Sequence, residues 1–224
     1  MTTSAATGRR SYGNLKDEAA SYIRAAIISG ELPARSRIDQ DVVAQALGIS
    51  RAPVREALIE LTQKGFVDAI PRRGAFVAEL TPADIEDYYE VVASVFGLTT
   101  RRAVSRLSAA DVAQLRKLHD EAAAATEPGR RGELGRRFFN VIAATGRSPR
   151  LDSLLQLIGG MFQGSFYFET PGWAAHEAQY QERVLGAIES GDDRLASRVS
   201  EDYLVGCGRM TVDHLRSRGY WPAT

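Results

Sequence analysis

The chain has very little cysteine: Cys207 is the only one among 224 residues, so no intrachain disulfide can form and nothing points to an oxidising compartment. No stretch approaches the roughly 20 consecutive apolar residues that cross a bilayer. The first residues, MTTSAATGRRSYGN, have arginines but no apolar segment behind them, so they do not read as a secretory leader, and a cytoplasmic location is expected. Net charge is absent as well, with 28 Lys/Arg against 28 Asp/Glu. That excludes a uniformly basic coat but not a local basic patch. Residues 1–80 hold 11 of the basic and 9 of the acidic residues, a small tilt toward the N-terminal part. No Gly-x-Ser-x-Gly elbow or phosphate-cradling glycine loop with lysine occurs, and Cys207 has no histidine near it in sequence. These absences argue against an enzyme.

What is present is an ordinary globular composition, 44% hydrophobic and 25% charged, in a chain long enough for two modest cores. Residues 1–13 read as a disordered N-terminus. From Asn14 to Ser29 apolar residues recur at helical spacing (Leu15, Ala19, Tyr22, Ile23, Ala26, Ile27). SGELPARSRI breaks the pattern, and a short helix follows with Val42, Val43, Ala46 and Leu47 on one face and Gly48 as its stop. GIS then leads into a third helix, with Ser50 as N-cap, Pro53 in the first turn and Val54, Ala57, Leu58 and Leu61 as the buried stripe. FVDAI and AFVAEL around PRRG predict a β-hairpin. At TPAD, Thr81 caps a new helix with Pro82 first and Asp84 near its positive end, which sets a boundary near residue 80. Beyond it the pattern is helical throughout, over about 82–105, 109–125, 131–145, 150–168, 173–190 and 193–217. The expected fold is mainly α: three helices and a hairpin wing in residues 14–80, then an all-helical antiparallel bundle in residues 81–224.

Helix, short turn, helix and arginine-tipped hairpin form the layout of a winged helix-turn-helix. Its third helix is shaped to enter the major groove of double-stranded DNA. Arg51 and Arg55, one turn apart on the polar face, suit guanine or phosphate. Ser50, Ala52 and Pro53 stand at the helix start, where backbone N–H groups face an anion and small side chains allow close approach. Arg72 and Arg73, with Gly74 permitting the turn, make the wing tip a second candidate contact.

LGISRAPVREALIELTQKGFV followed by PRRGAFVAEL closely resembles the GntR family of bacterial transcription regulators, and the helical remainder resembles its FadR-type branch with an FCD effector domain. The resemblance implies that Arg51, Arg55, Arg73 and Gly74 contact an operator, and that homodimers bind short palindromes. It also implies that a small molecule in the helical domain alters DNA affinity, and repression is the commoner mode among similar regulators. One departure stands out: Asp41 takes a position where some members carry another DNA-reading arginine.

Many similar FCD domains hold a metal through one Asp and three His. Here Gly135, Phe139, Gln181 and Tyr203 fall at those four positions, while His119, His176 and His214 lie elsewhere. None of the four is an ordinary ligand, so no metal is expected. Val92 and Phe96 take places where relatives often carry an effector-facing Arg and Glu. A cavity of Val92, Phe96, Phe139, Gln181 and Tyr203 would reject an unpaired carboxylate. The effector expected from these residues is neutral or hydrophobic. The alternatives are a pocket filled by its own side chains, leaving a regulator without a small-molecule effector, and an all-helical enzyme.

Overall fold

The computed structural model describes residues 12–158 and 170–221. The expected disordered stretch 1–13 lies outside these except for Tyr12 and Gly13, which begin the first helix rather than precede it. The end of the 150–168 helix and the glycine- and aromatic-rich stretch 159–169 also lie outside. The chain divides into two compact units, Met1–Leu80 and Thr81–Thr224.

In the first unit α1 (Tyr12–Ser29), α2 (Gln40–Leu47) and α3 (Arg51–Gln63) precede β1 (Val67–Ile70) and β2 (Gly74–Val77). Each helix brings one stripe to a shared core: Ile23 and Ile27 from α1, Val43 and Ala44 from α2, and Val54, Ala57, Leu58 and Leu61 from α3. Phe66, Val67 and Val77 close it from the hairpin side. Burying each large aliphatic side chain contributes about 1.5–3 kcal/mol, so α3 cannot rotate about its axis without losing several such terms. The α2 stripe differs from the expected one. Val42 is exposed, as is Ala46, and Ala44 turns inward beside Val43. An eight-residue helix touches its neighbours along a narrow strip, and periodicity alone cannot say which of two adjacent strips that is.

Gly48 ends α2 in the left-handed region at φ 63°, letting the Ile49 N–H reach back to the Ala44 carbonyl at 3.0 Å. Lys16 of α1 and Lys64 at the end of α3 both contact the Glu60 carboxylate, at 2.9 and 2.7 Å, pinning α1 along α3. The hairpin pairs Val67 with Val77 and Ile70 with Gly74. Residues 36–38, read from sequence only as a break, lie along β2: the Ile38 N–H donates to the Ala75 carbonyl and the Val77 N–H to the Ser36 carbonyl, both at 2.9 Å. A third extended segment therefore braces the wing.

The second unit is helical among the described residues: α4 (Pro82–Val104), α5 (Ala109–Ala124), α6 (Pro128–Gly146), α7 (Pro149–Ile158), α8 (Trp173–Glu189) and α9 (Asp193–Ser217). Capping boxes open α4 (Thr81 with Asp84) and α5 (Ser108 with Asp111), and the capping hydroxyl holds each Asp carboxyl below its usual range. Helix α6 begins at Pro128, three residues before the expected start, because proline suits the first helical turn.

Helices α4 and α9 pack along their length. Buried polar groups there are paired: Ser200 donates to Thr100 Oγ1 at 3.0 Å, and the Tyr89 and Thr211 hydroxyls meet at 3.1 Å. Where α6 meets α4, Gly146 lies against the Thr99 backbone carbonyl so closely that a Cβ would collide with it. Gly186 of α8 is exposed, with nothing near the corresponding position. Gly146→Ala is therefore expected to destabilise the protein by about 1–3 kcal/mol, whereas Gly186→Ala leaves it unchanged or stabilises it by up to about 1 kcal/mol. Thermal denaturation of the two variants side by side tests this; equal shifts would mean that α4 and α6 do not approach so closely.

Candidate functional site

The recognition surface follows from the α3 stripe. With Val54, Ala57, Leu58 and Leu61 inward, Arg51 and Arg55 face solvent one turn apart, and Ala52 lies exposed beside them. Ser50 stands at the N-cap with extended backbone angles, but its side chain makes no capping hydrogen bond, so its hydroxyl is not tied to the helix end. Pro53 is a correction to the expected contact set: it is buried, and its ring packs inside the unit rather than facing a partner.

Arg51 reaches across the turn to α2. Its Nε donates to one oxygen of the Asp41 carboxylate and its Nη2 to the other, and both side chains remain largely exposed, at 71% and 57%. At the wing tip, Arg72 adopts a positive φ of 63°, following Pro71 in the manner of a type II turn. A non-glycine residue there carries strain of about 1–2 kcal/mol. The guanidinium of Arg73 lies 5.5 Å from the centre of the Phe76 ring, a cation–π contact that directs it. A groove of about 380 Å³ between α3 and the hairpin is lined by Gln40, Arg55, Thr62, Arg72 and Gly74 among others. Arg37, exposed on the bracing segment beside Gly74, adds a cation that the sequence reading missed. Its signal was the Arg-Ser-Arg-Ile alternation, hidden by the neighbouring glycine and proline.

In the helical unit, Phe96, Phe139 and Tyr203 come together. The Phe139 ring lies 5.3 Å from each of the other two, 5.1 Å from Tyr180 in a stack, and Tyr180 stacks on Tyr203 at 4.4 Å. His176 also stacks on Tyr203 at 4.9 Å and contacts the Tyr203 carbonyl at 2.9 Å. Tyr180 and His176 were missed, although Trp173, His176 and Tyr180 repeat at i, i+3 and i+7 on α8. Val92 is only half-buried. Gln181 turns away from the rings to bond His119 Nδ1 at 3.1 Å, and lines a separate hollow of about 430 Å³ with His119, Arg131 and Glu177.

The four positions matching the family's metal donors do not fit a cation. Gly135 has no side chain, and the Glu177 carboxylate fills the place one would occupy; Phe139 belongs to the ring stack; Gln181 is committed to His119; and burial pushes the Tyr203 hydroxyl far above its usual range. Among the described residues no three His, Cys, Asp or Glu side chains converge. Burial also raises the Cys207 thiol well above its ordinary value, so it is no thiolate nucleophile.

A winged helix-turn-helix with an outward arginine pair, followed by a helical bundle, defines a class of DNA-binding regulator. Residues 15–77 match the model for bacterial regulatory proteins of the gntR family, and residues 87–206 match the FCD domain. The chain belongs to the GntR family of transcription regulators, in the FadR-like subfamily with an FCD domain, and not to an enzyme family. It is 32% identical over 90 residues to an HTH-type transcriptional regulator of Mycobacterium tuberculosis strain H37Rv, covering 40% of this chain and 37% of that protein. The HTH-type transcriptional repressor RspR of Escherichia coli K12 is 28% identical over 85 residues, 38% of this chain and 37% of its own. The chain thus spans less than half the length of each of these two relatives. Its fold is similar to that of E. coli McbR/YncC (TM-score 0.62, 19% identity, 91% of this chain and 97% of the other). It is also similar to that of a GntR family member from Pseudomonas syringae pv. tomato DC3000 (TM-score 0.54, 22% identity, 93% and 89%). No helix among the described residues is long and apolar enough to cross a membrane.

Glu177 is the most perturbed carboxyl in the helical unit. Burial, opposed by the Arg131 charge, pushes it from 4.5 up to about 7, and no described residue hydrogen-bonds it. Because the folded value lies above the unfolded one, its contribution to stability is intact below pH 4.5 and is lost as pH rises through about 7. Glu177→Gln is expected to abolish this part of the pH dependence, making the variant more stable than the parent at pH 8 by up to roughly 3 kcal/mol. Denaturant titrations between pH 4.5 and 8 read it; parallel profiles would mean that Glu177 is solvated.

Proposed function

We propose that the protein is a sequence-specific transcription regulator of the cytoplasm that binds a short palindromic operator as a homodimer, and that it acts as a repressor. One observation carries the reading. The buried stripe of α3 forces Arg51 and Arg55 outward on the face that a major groove admits, with the Arg72–Arg73 wing beside it. The contacts proposed are Arg51 and Arg55 with Ser50 and Ala52 in the groove, and Arg72, Arg73 and Gly74 at the backbone or minor groove. Repression is supported by the name of one relative, the RspR repressor, and by no residue of this chain. Arg51→Ala is expected to lower affinity for the selected operator by about 1–3 kcal/mol and to blur base preference, whereas Arg73→Ala weakens all duplexes evenly and flattens the salt dependence. Mobility-shift titrations on duplexes selected from a randomised pool, at several salt concentrations, test both. Parent-like binding by both variants would place the DNA surface elsewhere.

For the helical unit the proposal is modulation of operator affinity by a neutral or hydrophobic small molecule bound beside Val92, Phe96, Phe139, Gln181 and Tyr203. Such a ligand acts only by binding two conformations unequally. The mutual packing of the Phe96, Phe139 and Tyr203 rings favours a second reading, in which the rings occupy this position and the regulator works without a ligand there. Both readings exclude an anion beside the Phe96, Phe139 and Tyr203 rings, which pack against one another, while Arg131 shares the separate hollow of Gln181 with the Glu177 carboxylate. Calorimetric titration with succinate and citrate is expected to show no binding; tight uptake of either beside Phe139 would contradict both.

A further inference from the structure

The bidentate contact between Asp41 and Arg51 joins the first turn of α2 to the first turn of α3, across the surface assigned to DNA. An ion pair this exposed adds little to stability. Beside a polyanion, a carboxylate is also a liability for affinity. Its place on this surface therefore calls for an account other than folding or attraction to phosphate.

The chemistry of the guanidinium supplies one. Arginine offers five N–H groups along three edges of a plane. Asp41 engages the edge formed by Nε and Nη2. The end-on edge, formed by Nη1 and the second hydrogen of Nη2, stays open, and its two parallel donors match O6 and N7 of guanine. Asp41 is itself held in place, because its backbone N–H donates at 2.8 Å to the carboxylate of Asp39, the N-cap of α2. A flexible arginine is thereby set in one plane before DNA arrives, and the adjacent negative charge discourages it from swinging onto a phosphate.

We infer that Asp41 is the positioning residue that makes Arg51 a guanine reader rather than a phosphate clamp. This inference rests on the assignment of α3 to the major groove. It concerns sequence selectivity, not overall affinity.

The test uses the full chain. Duplexes are selected by the parent from a randomised pool. Affinities are then measured for the selected duplex and for each single-base-pair variant of it, with the parent, Asp41→Ala, Asp41→Asn, Arg51→Ala and the Asp41→Ala/Arg51→Ala double variant. In Asp41→Ala, discrimination at one G·C pair in each half-site is expected to fall by about five-fold or more, while binding to unselected duplex is unchanged or tighter. Asp41→Asn, which keeps one acceptor oxygen, retains more discrimination than Asp41→Ala. Adding Asp41→Ala to Arg51→Ala changes discrimination no further, because the residue acts through that arginine. A purely structural role would instead weaken all duplexes in proportion and leave their ratios intact, and that result overturns the inference. If the parent selects no sequence, the DNA assignment itself fails. If Arg51→Ala loses the preference and Asp41→Ala keeps it, only the role of Asp41 falls.

Discussion

The inward stripe of α3 is the constraint on which the DNA-binding unit depends. Val54, Ala57, Leu58 and Leu61 are all buried against α1, α2 and the hairpin. A helix with one apolar face buried has its opposite face fixed in direction, and here that face carries Arg51 and Arg55. The same packing sets the distance between α3 and the wing, because Phe66 and Val67, which follow the end of α3, are buried in the same core. Recognition geometry is thus a by-product of apolar burial, and the arginines need contribute nothing to folding.

The helical unit solves a different problem, the burial of polar and aromatic groups among long helices. Its buried hydroxyls at Thr100, Ser200, Tyr89 and Thr211 pair with each other, which removes most of the penalty of taking them out of water. Glu177 differs from these: it is an ionisable group held in a largely apolar site, where the Arg131 charge eases its own. It fills the space left by Gly135, one of the four positions at which the family resemblance led a metal donor to be sought. The other three positions are absorbed by a ring stack or a side-chain hydrogen bond.

Much of this was legible in the sequence because it rests on local rules. Thr81 and Ser108 announced their capping boxes through an Asp three residues on, and both form. The α3 stripe followed from a 3.6-residue period, and the hairpin from two apolar runs around PRRG. What could not be read depends on contacts distant in sequence. The exposure of Val42 is set by which side of a short helix meets α1 and α3. The bracing segment at residues 36–38 needs β2 as a partner before it has any identity. Tyr180 and His176 join the aromatic stack only because α6 and α9 bring Phe139 and Tyr203 beside them. The Asp41 carboxylate was visible as a departure from the family pattern, but its engagement with Arg51 across ten residues was not.

The central claim is that the outward face of α3 reads base edges in the major groove. Methylation interference tests it most directly, because a methyl group on guanine N7 blocks the acceptor that an end-on guanidinium requires. The account predicts that N7 methylation at a guanine in each half-site of a selected duplex abolishes binding by the parent protein. Undiminished binding to duplex methylated at every guanine would contradict it.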